Sequence, residues 1–397
     1  MAIKVGDNEN QNKPENGVIK RIVGTAFVLM LLVSMGYLIA GLMILPNDRG
    51  VASSDAEELS NAFEVLHDGG DTEMVTIPST YEDAEESGTL TLVTKVAADP
   101  GQDWLMIWNM GHELEVYVGS ELRFSIHSDE RRLLKGEVAY QYDFINLRES
   151  DNGKELRICF VNYANENDNL GNIYLGDKAA LLLTAVKDSQ MALLLAVTVM
   201  FFGFVACIIA SIKSKEFPNM DRVFYLGLGV FVASAWFLFN SPATQFVFPN
   251  VEVARDCAFF FASMISLPFL VYFEKLLGGR YRRVIASLKI ASIVGFITLI
   301  TGYFILGLDI NDAFYPTIIV ALLSLGTVFA IIMGDVTNRK IREYYLAAMG
   351  TVFFVIFALI YVLMYLLFPF KGDSGILLML GITILFVCGV LSAAKDK

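Results

Sequence analysis

Three histidines, His67, His112 and His127, are the only imidazoles in the chain. His112 stands beside Glu113 and Glu115, the residue types of a metal site. In a strand, however, successive side chains point to opposite faces, so His112 is directed away from both glutamates. A closed metal site needs three or four converging ligands. No H-E-x-x-H spacing supplies them, and no G-x-S-x-G marks a serine nucleophile. Of four cysteines, Cys207, Cys257 and Cys388 lie in apolar runs and Cys159 stands alone in a polar segment, with no C-x-x-C pair. They read as buried small hydrophobes. Neither catalysis, nor a metal, nor any other cofactor is expected.

Binding chemistry is better represented. Trp104, Trp108, Tyr117, Tyr140 and Tyr142 form an aromatic-rich stretch that suits a carbohydrate or another flat small molecule. Trp104, Met106 and Trp108 share one face of a strand, which serves equally as core. The ligand-binding candidates are Trp104, Trp108, His112 and Tyr117. Arg131 and Arg132 join them from a basic link able to meet an anion. A second set, Arg280, Arg282 and Arg283, gives a short basic loop that would suit an acidic cytoplasmic partner or anionic lipid.

The elements that must carry these residues follow from composition. The chain has 397 residues, is 55% apolar and only 18% charged, and has a mean hydropathy of +0.54. Those values point to a membrane protein. Residues 46–189 hold 28 Asp and Glu against 11 Lys and Arg, a net of −17, while the whole chain carries −12. The low pI therefore belongs to one acidic, solvated segment with no basic stripe, and nucleic acid is excluded as its partner.

Residues 1–21 read as a disordered cytoplasmic tail. The apolar run 22–45 reads as an uncleaved transmembrane anchor, too long for a signal-peptide core. Seven further apolar runs lie near 190–212, 222–242, 254–273, 284–308, 314–334, 343–369 and 375–394, so 190–394 is expected to be a seven-transmembrane helical bundle. A short tail, 395–397, follows. With the N-terminus inside, sixteen Lys and Arg fall on cytoplasmic pieces and only Arg255 and Lys371 on the short outer loops. This bias places both termini in the cytoplasm and 46–189 outside the cell. No charge sits at the centre of a span, which weighs against a pump. Lys289 is near enough to an end to snorkel. Pro268 is expected to kink its helix and Pro316 to start one.

The outer segment reads as an extracellular antiparallel β-sandwich. Strands are expected at Thr89–Ala97, Trp104–Asn109, Glu113–Val118, Glu121–His127, Ala139–Ile145, Glu155–Asn162 and Asn172–Leu175. Leu114, Val116 and Val118 alternate with Glu113, Glu115 and Tyr117, and similar period-2 patterns occur at 122–127 and 156–161. Gly119-Ser120 has the composition of a two-residue hairpin turn.

Four segments carry a resemblance to a known family. They are Met74-Val75-Thr76-Ile77-Pro78, Gly111-His112-Glu113-Leu114-Glu115-Val116-Tyr117-Val118-Gly119, Gly153-Lys154-Glu155-Leu156-Arg157-Ile158 and Asn172-Ile173-Tyr174-Leu175-Gly176. With the order anchor, sandwich, seven helices, the chain resembles the bacterial seven-transmembrane receptors with diverse intracellular signalling modules (7TM-DISM). It looks most like the sensor halves that precede GGDEF diguanylate cyclases. The resemblance implies a jelly-roll-like sandwich and a role in signal transduction. In that group an output domain usually follows the last helix, whereas here the chain stops at Lys397. The chain is therefore expected either to pass the signal to a separate cytoplasmic signalling protein or to be a sensor half without its output. The string Gly69-Gly70-Asp71-Thr72-Glu73 departs from the cyclase signature and reads as a turn.

The leading expectation is a membrane sensory receptor for an extracellular small molecule, embedded in the lipid bilayer; a homodimer is a compatible assembly. A transporter, passive pore or transport-associated component is the alternative. A membrane enzyme is disfavoured by the missing catalytic constellations.

Overall fold

The computed structural model describes residues 56–60, 63–66, 71–80, 88–97, 102–127, 138–161, 169–217, 219–248, 250–338, 341, 344–367 and 375–395. The expected tail and anchor helix (1–45), Arg131 and Arg132 lie outside the described residues.

Two antiparallel sheets come first. One holds β1 (Glu57–Glu58), β12 (Ile173–Gly176), β6 (Trp104–Met110) and β9 (Tyr140–Asn146), in that order. The other runs β3 (Thr72–Val75), β2 (Phe63–Leu66), β5 (Leu90–Lys95), β10 (Glu155–Val161), β7 (Glu113–Val118), β8 (Glu121–Ile126). A two-stranded ribbon pairs β4 (Ser79–Thr80) with β11 (Asn169–Leu170). The alternation builds a common core. Phe63, Val65, Leu90, Leu92, Leu114, Val116, Leu156 and Ile158 of the larger sheet pack with Leu105, Ile107, Ile145, Ile173 and Leu175 of the smaller. All seven expected strands are present. The five others are short, four residues at most, and carry little periodic signal. Gly119 turns β7 into β8 at φ +60, a conformation open to glycine. The Gly-Gly-Asp string is not a turn throughout, because Thr72 and Glu73 belong to β3.

Helices follow: α1 (Lys178–Lys213), α2 (Met220–Asn240), α3 (Val251–Met264), α4 (Ser266–Leu276), α5 (Arg282–Ile300), α6 (Ile310–Thr337), α7 (Tyr345–Leu367) and α8 (Gly375–Lys395). A 3₁₀ segment, Pro242–Phe246, follows α2, and a π segment, Thr301–Ile305, ends α5. Among the described residues, six helical stretches are long and apolar enough to cross a membrane: 193–213, 220–240, 251–276, 282–305, 312–337 and 375–395. The chain is thus a multi-pass membrane protein. Helix α7 is also apolar, with Tyr345–Tyr361 as its shorter qualifying stretch.

The stretch 251–276 is interrupted at Ile265, between α3 and α4. Pro268 explains the break, since a proline lacks the N–H that would bond the carbonyl four residues earlier, at Met264. Pro316, by contrast, sits inside α6 and does not start it. Lys289 reaches towards the end of α4, where its Nζ lies 2.5 Å from Glu274 Oε2. Helices α1 and α2 approach closely through glycines. A Cβ on Gly203 would fall 2.8 Å from the Gly227 carbonyl oxygen, and one on Gly227 would fall 2.7 Å from the Gly203 oxygen. Small residues of this kind let helix backbones approach within a bilayer.

Candidate functional site at the junction of sheets and helices

The sheet domain and the helices meet without a flexible linker. Strand β12 ends at Gly176 and α1 begins at Lys178, with Asp177 as N-cap. The Ala179 N–H donates to the Asp177 carboxylate at 3.1 Å, satisfying a donor that the helix start leaves open. The membrane-length part of α1 starts at Leu193. Lys178–Ala192 therefore form a helical stalk, about 22 Å long at 1.5 Å per residue.

The outward face of the four-stranded sheet packs on this stalk. Met106 and Tyr142 are buried against Leu181 and Ala185 of α1, flanked by Trp104, Trp108, Phe144 and Tyr174. Register explains the grouping: Met106 lies between Tyr174 on β12 and Phe144 on β9, and Trp108 is opposite Tyr142. The Trp108 and Tyr142 rings are 4.6 Å apart. Lys178 Nζ sits 4.2 Å from the Trp104 ring centroid, a cation–π distance.

Two further helical elements grip β9, an edge strand, and the residues just before it. The Gln245 side chain, in the 3₁₀ segment, accepts from the Tyr142 N–H at 2.9 Å and donates to the Tyr142 carbonyl at 3.1 Å. An edge strand presents such unpaired groups outward, and one amide meets both as a neighbouring strand would. Phe246 stacks edge-on to Phe144 at 6.4 Å. From α3, Arg255 Nη1 donates to the Val138 carbonyl at 3.2 Å.

On the opposite side of the same sheet lies a buried polar layer. Asn109 Nδ2 donates to Asp143 Oδ2 at 2.9 Å and to the His112 carbonyl at 2.8 Å. Its Oδ1 accepts from the Gly111 and His112 N–H groups at 3.1 and 2.8 Å. Gln141 Nε2 donates to Asp143 Oδ1 at 2.6 Å. These bonds tie the β6–β7 turn to β9, so displacement of either strand reaches the junction face.

The sequence-derived ligand candidates occupy different layers. Trp104 and Trp108 line the junction. His112 is buried between the sheets, its ring 5.7 Å from Phe160 in a T-shaped contact. Tyr117 lies on the outer face of the six-stranded sheet, where its hydroxyl donates to Glu115 at 2.7 Å and the Arg157 guanidinium stands 5.5 Å from its ring. That bond holds the Tyr117 phenol above its ordinary pKa. These four side chains therefore do not converge on one pocket. The period of two sends Trp104 and Trp108 one way while the core-facing Leu105 and Ile107 go the other. The glutamates beside His112 meet His127 instead, Glu113 at Nδ1 (3.4 Å) and Glu115 at Nε2 (3.1 Å). Opposite ring edges engage separate carboxylates, so the ligands do not gather on a point. Among the described residues no group of three His, Cys, Asp or Glu could hold a metal ion.

Of the basic loop, Arg282 is 83% exposed and Arg283 is exposed, whereas Arg280 Nη1 lies 3.6 Å from the buried Asp335. Gln245, Leu181, Ala185 and Arg255 escape sequence reasoning. One signal was available: β6 reads Trp-Leu-Met-Ile-Trp-Asn-Met, apolar on both faces, the pattern of a strand covered on both sides. No protein family, curated protein or solved structure matches the chain.

Proposed function

We propose that the chain is a sensory receptor of the cell membrane, of the 7TM-DISM type. In this reading 22–45 anchors the chain, the two sheets form a jelly-roll-like extracellular domain, and seven helices, α7 included, span the bilayer. Both termini are cytoplasmic. A small molecule, a carbohydrate being the best fit to the aromatic content, shifts the sheet domain, and a separate cytoplasmic protein receives the change. The chain itself performs no catalysis. The observation that carries this reading is the junction: α1 continues from β12 with one residue between, while Gln245 holds β9 and Arg255 holds Val138 just before it. Such a joint transmits displacement, and a ligand acts through it when its affinity differs between two arrangements.

Reporter fusions within 213–222 and 275–283 are expected to behave as cytoplasmic, and fusions within 102–127 as external. A cytoplasmic signal from 102–127 would reverse the orientation. Purified protein in sealed vesicles is expected to pass no ion or small solute. Sustained flux would replace the receptor by a pore or transporter.

A further inference from the structure

Helix α6 is held at its two ends. On the sheet side, Ile310 and Ala313 are buried with Leu299 and Tyr303 against Phe259, Phe260 and Phe314, and the Tyr303 hydroxyl donates to Asp256 at 2.6 Å. In between, Ile319, Leu322 and Leu323 are exposed at bilayer depth. At the far end stands Asp335, fully buried. It accepts from the Tyr281 hydroxyl at 2.9 Å and the Tyr344 hydroxyl at 2.6 Å, and Arg280 Nη1 is 3.6 Å away. The Arg280 guanidinium also lies 5.8 Å from the Tyr344 ring, and its Nε donates to the Leu277 carbonyl at 3.2 Å.

One carboxylate thus gathers three chain segments: the α4–α5 turn, α6 and the residue that leads into α7. Arg280, Tyr281 and Tyr344 stand outside regular helix, where small backbone changes move them. Burying the Asp335 carboxylate, with Arg280 only partly covered beside it, costs several kcal/mol of desolvation that a well-packed apolar contact avoids. The arrangement is therefore a poor strut. It suits a contact that discriminates between two packings, because either the whole set is satisfied or the charges return to water.

We propose that Asp335, with Arg280, Tyr281 and Tyr344, is a conformational latch on the end of the bundle remote from the sheets. Closed, it fixes the α4–α5 turn against α6 and α7. Opening it frees that turn, carrying Arg282 and Arg283, to change its presentation. The assignment rests on the receptor reading, in which this end is the output surface.

The test uses the full chain in lipid nanodiscs, with Cys159, Cys207, Cys257 and Cys388 replaced by Ala and spin labels at Arg283→Cys and Tyr345→Cys. The distance distribution is compared with Asp335 intact, in Asp335→Asn, and in Tyr281→Phe/Tyr344→Phe. The latch is expected to give one narrow population when intact and a second, longer one in both variants, with the protein still monodisperse. A single unchanged distance in both variants overturns it. So does loss of folding in both, since a contact that opens only by unfolding is a strut. No ligand enters the measurement, so its failure leaves the receptor reading to stand or fall on the flux assay.

Discussion

Replacing Asp151 by Asn is expected to cost the sheet domain about 3–5 kcal/mol, the range for breaking a buried ion pair from one side. The Asp151 side chain is 0% exposed and that of Arg123 only 7%, with Arg123 Nη2 2.8 Å from Oδ2 and 2.9 Å from Oδ1. Lys154 Nζ lies 2.9 Å from Oδ1, and the Arg148 N–H donates to Oδ2 at 2.9 Å. The substitution leaves the buried Arg123 with only the half-exposed Glu121, 3.2 Å from its Nη2, as counter-charge. Burial by itself would raise the Asp151 pKa. The Lys154 and Arg148 hydrogen bonds and the Arg123 charge outweigh it, and the carboxyl is held below its ordinary 3.8. A depressed folded-state pKa stabilises above the unfolded value and the benefit is lost as pH falls through the folded one. Wild type should therefore lose this contribution in acid below about pH 4, where an unfolded Asp takes up its proton. The Asn variant should not show that part of the acid dependence. Thermal unfolding of the full chain, followed by Trp104 and Trp108 fluorescence in a Trp236→Phe background, reads both effects. Equal stability of the two proteins at neutral pH would show that the pair is not a structural tie.

Val116→Asp is expected to unfold the sheet domain outright. Val116 is 0% exposed in the core, between Ile158 of β10 and Phe124 of β8. An ionised carboxylate there has no partner and must either take up a proton or expel itself to water. Either cost is comparable with the ~5–15 kcal/mol total stability of a domain. Its neighbour provides the contrast: Glu115 faces outward to Tyr117 and His127, so Glu115→Ala should cost only about 1 kcal/mol, the loss of a half-exposed hydrogen bond. Circular dichroism and protease resistance of the full chain in detergent separate the two. A harmless Val116→Asp beside a disruptive Glu115→Ala would invert the assigned faces.

Period-two alternation made the layered β domain legible. The patterns at 114–118 and 156–160 bury Leu114, Val116, Val118, Leu156, Ile158 and Phe160 in the six-stranded sheet, whereas at 122–126 the register shifts opposite Val116 and Tyr117, leaving Leu122 exposed and the Arg123 side chain buried. Strands β2 and β3 are too short for alternation to stand out, although Phe63 and Val65 flank Glu64 as a buried pair. The apolar runs after the sandwich were legible for the same reason that helices suit a bilayer, namely that each hydrogen-bonds its own backbone. The junction was not. Gln245 is one amide in a polar turn, and nothing local shows that an edge strand from a hundred residues earlier lies against it. Asp335 was missed because it falls just past an apolar run and looks solvated, while the phenols that bury it come from Tyr281 and Tyr344. Arg280, grouped by sequence with Arg282 and Arg283, separates from them only once Asp335 is in place.

Transmission from the sheets to the remote helix ends can be measured without a ligand, by disturbing the joint itself. The full chain in nanodiscs is labelled at Lys215→Cys, just after α1, and Arg283→Cys, at the start of α5, in the background lacking native cysteines. Gln245→Ala and Trp108→Ala together remove the β9 grip and part of the stalk packing. If the junction couples the two regions, the distance distribution at the far end shifts or splits while the sheet domain stays folded. An unchanged distribution over a folded, loosened sheet domain would contradict the coupling and, with it, the receptor.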